Sequence, residues 1–129
     1  MTMPCERTRS LRWGWELLCA IASDAEVDES TRAEAVLVAA DYPRPALVLL
    51  WIAEDASGLP PVAAQSVCAA AELFNKLQAG GQGTQETRTH LRFTQRHFPD
   101  AQEARLMGHQ SEHCRITEWL LPEDYYENR

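Results

Sequence analysis

A chain of 129 residues with 45% apolar and 24% charged side chains has the length and composition of one globular domain. Its net charge of −7 argues against direct nucleic-acid binding. The longest apolar run, residues 46–53, is far short of the roughly 20 residues that span a membrane. Four cysteines without a Cys-x-x-Cys pair read as reduced, mostly buried thiols of a cytoplasmic protein. Arginines precede the first apolar stretch, but Glu16 interrupts it and Asp24 follows soon after, so we do not read it as a signal peptide.

Nearly every segment reads as helix. Pro4 suits the first turn of a helix reaching about Ser23, with Leu11, Trp15, Leu18 and Ala22 on its inner face. Asp28 or Ser30 caps a second helix, with Ala33, Leu37 and Ala40 predicted inward. Asp41-Tyr42-Pro43 ends it, because a residue before proline is pushed out of helical geometry. ALVLLWIAEDASG fits a buried strand or a buried helix by periodicity. Pro45 at its start and Gly58 at its end favour helix. Pro60 or Pro61 opens a fourth helix, Gly80-Gly81 closes it, and Ala63, Val67, Ala70, Phe74 and Leu77 make a seam that predicts a central position.

GGQG, residues 80–83, reads as a flexible hinge. A fifth helix is expected over 84–98, with Thr87, Leu91, Thr94 and Phe98 on one side. Asp100 and Glu103 fit a capping box for a sixth. That helix either passes Gly108 or breaks there and restarts at Ser111. In the continuous case Leu106, His109, His113, Ile116 and Leu120 share a stripe. The expected architecture is therefore all-α: a compact single-domain bundle of five to seven helices over residues 1–121, followed by a polar C-terminal tail over 122–129.

Charge is unevenly spread. Residues 16–75 hold ten acids and two arginines, whereas residues 80–117 hold five arginines and four acids. Arg88, Arg92 and Arg96 recur every fourth residue, which makes a basic stripe on the fifth helix. With the acids Glu26, Asp28 and Glu29, and the aromatic anchors Trp13, Trp119, Tyr125 and Tyr126, this pattern suggests docking of a protein partner or of a second copy as a homodimer. Nucleic acid enters only indirectly. An acidic inhibitor can compete for the basic groove of a nucleic-acid enzyme, as an anti-defence protein of a mobile element would.

Catalytic and metal chemistry are the alternatives. Arg92-x4-His97 matches the short Arg-x4–6-His signature of the HEPN domains and so resembles those helical ribonucleases. The resemblance implies an arginine on phosphate charge and a histidine moving protons. Eleven arginines and four histidines meet this loose spacing easily by chance. His109-x-x-Glu112-His113 has the spacing of an inverted zinc-protease motif. Cys114 points about 100° from His113 on the helical wheel, and the third ligand is missing. What remains is a small structural zinc site on His109 and His113, or a plain edge of the last helix. Cys68 and Ser66 have no activating base in the sequence around them, and GGQGTQE follows a helix without a lysine, so neither a nucleophile nor a phosphate loop is expected. No cofactor is expected.

The first third of the chain resembles a group of small uncharacterised proteobacterial proteins that begin Met-Thr-x-Pro. Glu6-Arg7-Thr8-Arg9, Glu16-Leu17-Leu18 and Tyr42-Pro43 carry the likeness. Cys5 stands where a polar or acidic residue is expected, and from Ala46 onward the chain departs from the group. The resemblance implies a bacterial cytoplasmic protein and transfers no activity and no catalytic residue.

Overall fold

The structure, a computed structural model, describes residues 2–108 and 115–127. It is an all-α bundle: α1 (Pro4–Ser23), α2 (Glu29–Asp41), α3 (Pro45–Ala53), α4 (Pro61–Gly80), α5 (Gln85–Gln95), α6 (Ala101–Met107) and a short 3-10 turn (Ile116–Glu118). The alternatives left open for residues 46–53 resolve as helix, α3.

Local chemistry explains most boundaries. Pro4, Pro45 and Pro61 each sit in a first helical turn, where a missing N–H costs nothing. Asp28 caps α2 by accepting from Thr31 N–H at 2.7 Å. Asp100 and Glu103 form the reciprocal capping box that opens α6. Gly81 closes α4 in the left-handed conformation, with φ +63°. α5 ends at Gln95 rather than running to Phe98. Pro99 follows directly and bars Phe98 from helical geometry.

The centre of the core is α4, which packs against α1, α2, α5 and α6. Its seam of Ala63, Val67, Ala70, Phe74 and Leu77 is buried, as the sequence suggests. Alanines let neighbouring backbones approach closely. Ser66 on α4 donates to the α2 carbonyl of Val38 at 2.7 Å, a contact possible only at short range. On α1 the buried stripe is Leu11, Gly14, Leu17, Leu18 and Ile21, with Trp15 and Ala22 packed at its edge.

Several expected faces are rotated. α2 turns Thr31 and Ala35 inward, with Val38, Ala39 and Tyr42 continuing the contact. Ala33, Leu37 and Ala40, expected inside, are exposed, and Leu37 reaches 73%. α3 buries only Val48 and Ile52 and leaves Leu47, Leu49 and Leu50 half-exposed, so it is a surface helix. The stretch Glu29–Ala53 is apolar enough to span a membrane by length and composition, with mean hydropathy 1.5 in its best window. Residues 42–44 break it into two helices. Leu106 is exposed on α6, which turns Ala104 and Met107 inward instead. Arg115 is extended, so no single helix carries a stripe from Leu106 to Leu120. Cys19 is exposed, whereas Cys5 is buried.

The glycine turn is pinned rather than loose. Asp24, at the end of α1, accepts from the Thr84 N–H at 2.9 Å and from its hydroxyl at 3.1 Å. Gln82 bridges to α2 through both the N–H and the carboxylate of Asp28. At the other end of the bundle the polar tail is tied down across the boundary expected at residue 121. Arg12 donates twice to Glu123, at 2.7 and 2.8 Å, and Arg9 lies 3.5 Å from the same carboxylate.

Candidate functional site

The arginine stripe occupies the exposed side of α5, placed there because Thr87, Leu91 and Thr94 turn the opposite side into the core. Arg88 and Arg92 border a groove of about 250 Å³ between α5 and the C-terminal half of α4. Its floor is the buried pair Leu77 and Leu91, and Gln78 and Gln95 complete the rim. Gly81 closes one end without a side chain to fill it. Gln95 donates to Asn75 at 3.1 Å, which fixes the α4–α5 spacing.

Five of the eleven described lysine and arginine side chains have an anionic neighbour. Arg7 reaches Glu103, Arg9 and Arg12 reach Glu123, Lys76 reaches Glu34 and Arg115 reaches Asp55. Arg88 and Arg92 have no carboxylate partner among the described residues. Arg88 has only a long contact to the side-chain amide oxygen of Gln85, at 3.5 Å. Arg96, the third member, leaves the groove and lies over the Phe93 ring, 4.8 Å from its centre. Two adjacent guanidiniums, two carboxamides and an apolar floor form a receptor for a carboxylate or another oxyanion.

The other sequence-selected residues take varied places. His97 sits beyond the end of α5 and turns to the start of α1. Its Nε2 lies 3.1 Å from Glu6 and its Nδ1 lies 3.1 Å from the Thr2 hydroxyl. Arg92 faces the α4 groove instead, so the two residues of the ribonuclease alternative engage different neighbours. Glu26, Asp28 and Glu29 are exposed, but Asp28 is committed to the backbone. The Thr31 N–H, with Thr31, Gln82 and Ser30 side chains, holds its carboxyl well below the usual range.

Trp119 packs against the core, and its free face is covered by the Arg7 guanidinium at 5.2 Å. Arg7 also donates to the Trp119 carbonyl at 2.8 Å. Tyr125 and Tyr126 meet edge to face at 5.1 Å, and Tyr126 stays exposed. Trp13 is half-buried beside α5. His109 and His113, with Glu112 and Cys114, lie outside the described residues. Among the described residues no group of three or more His, Cys, Asp or Glu side chains could hold a metal ion.

Sequence reasoning found the arginines but missed the α4 wall of their groove. Gln78 and Gln95 lie 17 positions apart, and only the turn at Gly80-Gly81 brings them together. It also missed Asp24, although an acid directly after a helix and ahead of a distant Thr-capped helix is a usable signal. The chain matches no family model, no curated protein and no solved structure.

Proposed function

We propose that this protein is a non-enzymatic interaction module that docks an acidic segment of a protein partner into the α4–α5 groove. The observation that carries this reading is the pair Arg88 and Arg92. They are adjacent and exposed, and they lack a carboxylate partner among the described residues, in a chain whose net charge is −7. A protein with so many acids could neutralise both arginines internally, as it does Arg7, Arg9 and Arg12. Leaving them open on an apolar floor suits a partner that supplies the missing anions. The exposed acids Glu26 and Glu29 offer a second surface of opposite sign, which a second copy or a basic protein could meet.

The finer reading is a small bacterial cytoplasmic regulator or inhibitor, consistent with the N-terminal resemblance. The ribonuclease alternative gains nothing from this geometry, because both ring nitrogens of His97 are engaged by Glu6 and Thr2. The test compares wild-type protein with an Arg88→Glu/Arg92→Glu variant in lysate pull-downs at low and moderate salt. Proteins held by the wild type, released by salt and absent from the variant support the reading. Identical captures from both proteins, or none from either, end it.

A further inference from the structure

The opposite flank of α5 carries a second cleft with the reverse chemistry. α1 and α5 run antiparallel. Ser10 donates to the His97 carbonyl at one end, and Asp24 holds Thr84 at the other. Between the helices opens a cleft of about 510 Å³ lined by Trp13, Glu16, Glu86, Thr89, His90 and Phe93. Its volume is in the range of ligand sites. A polar hollow of about 330 Å³ adjoins it toward Ser23 and Thr84 and shares Glu86 and His90 with it, so the two form one groove along the helices.

The lining selects a ligand class. Trp13 and Phe93 supply aromatic walls, and Phe93 is 42% exposed on the otherwise polar outer side of α5. Glu16 and Glu86 supply two carboxylates. Glu16 shares its charge with Arg12 at 3.2 Å, while Glu86 has no ion-pair partner among the described residues. The cations at the edge of the cleft are already placed, Arg12 on Glu16 and Arg96 over one side of Phe93, which leaves Glu86 without an ion-pair partner among the described residues, and a neutral apolar ligand would strip water from Glu86 without replacing its hydrogen bonds. An organic cation satisfies both parts, by cation–π contact with the rings and charge-assisted hydrogen bonds to the carboxylates. A guanidinium suits them better than an ammonium, because it is flat enough to stack and forked enough to bind a carboxylate twice. Phe93 already accepts such a group from its own chain, since the Arg96 guanidinium lies 4.8 Å from its ring centre.

The groove also indicates how the cation is presented. From Trp13 to Asp24 α1 rises roughly 16 Å, about the length of five extended residues. A free amino acid would fill only the aromatic end. We propose that the α1–α5 groove binds an extended peptide segment of a partner protein, with an arginine side chain seated between Trp13, Phe93 and Glu86. This site differs in charge and position from the α4–α5 groove and does not rest on the reading given for it.

The test is calorimetric titration of the intact protein with an acetylated pentapeptide amide, Gly-Ala-Arg-Ala-Gly. Parallel titrations use the same peptide with citrulline in place of arginine, and N-acetylarginine amide alone. The arginine peptide is expected to bind saturably, and the citrulline peptide about tenfold or more weaker, the loss of one charge-assisted contact. The single residue is expected to be weaker still. Glu86→Gln and Phe93→Ala alter exposed side chains, and their far-ultraviolet circular dichroism should match the wild type. Each should weaken the peptide about tenfold. The Arg88→Glu/Arg92→Glu variant should bind it at least as tightly as the wild type, because its added negative charge lies on the same helix, which separates this site from the other groove. No saturable binding at millimolar peptide would overturn the proposal, as would equal binding of the citrulline peptide or unchanged affinity in both Glu86→Gln and Phe93→Ala. Equal binding of the single residue would overturn the peptide assignment.

Discussion

Asp24 shows how one side chain organises a junction. It stands at the end of α1, is almost fully buried, and accepts hydrogen bonds from the Glu26 and Thr84 N–H groups and the Thr84 hydroxyl. Burial alone would raise its pKa. The hydrogen bonds from Thr84, Thr87 and Glu26 outweigh that and lower it from 3.8 to about 2. Because the folded pKa lies below the unfolded one, the contribution of Asp24 is complete above pH 4 and fades as pH falls toward 2. Asp24→Ala should therefore destabilise the protein at pH 7 by about 1–3 kcal/mol, the cost of unsatisfied buried donors. The gap between wild type and variant should narrow between pH 4 and pH 2 in urea denaturation. A gap constant with pH would contradict this role. Gly14 matters at the same scale for a different reason. A Cβ there would stand 2.5 Å from the Tyr42 hydroxyl and 2.7 Å from Phe98. Tyr42 donates to the Leu11 carbonyl at 2.7 Å across that gap. The sequence shows only a glycine between two tryptophans. Its reason lies 28 and 84 residues away.

Among the elements, α2 marks where sequence legibility ran out. Caps and prolines fix its ends locally, so its boundaries were readable. Its face was not, because alanine, valine and leucine occur all around the helix and periodicity has two solutions. The choice belongs to α1 and α4, which approach so closely that only small side chains fit between them and α2. Ala35 is fully buried there, while Val36 and Leu37 point outward. Leu37→Gln should leave stability within about 0.5 kcal/mol of wild type, as at other exposed positions. Ala35→Leu should cost about 1–3 kcal/mol by overpacking. Thermal denaturation of the two variants checks the register, and the reverse ranking would restore the inward Leu37 first expected. α5 gives the complementary lesson. Its arginine spacing was legible because a four-residue repeat is local. The two grooves on its flanks were not, since Trp13, Glu16 and Gln78 come from other helices.

Across the whole molecule, polar ties hold what the core does not reach. The fold class was legible because caps, prolines and the α4 seam all agree on helix, and such agreement across levels is what makes a sequence foldable. The ties were illegible because they are remote: Arg7 to the Trp119 carbonyl spans 112 positions, and Arg12 to Glu123 spans 111. They press the polar tail onto α1. The guanidinium of Arg12, with Arg9 beside it, holds the Glu123 carboxyl below its ordinary value.

The Arg12–Glu123 clasp also bears on the time course of folding. Closing a loop of that length costs chain entropy before any contact compensates it, so the clasp forms after the helices have collapsed around α4. A contact absent from the transition state changes the unfolding rate and leaves the folding rate alone. Glu123→Gln removes a partly exposed, two-pronged ion pair, a loss of about 1 kcal/mol. In stopped-flow chevron measurements the refolding arm should superimpose on wild type, and the unfolding arm should rise roughly fivefold. A slowed refolding arm would place the clasp in the nucleus instead. On this account the tail adds to the lifetime of the folded state, and the arginines of α1 act as its brake on unfolding.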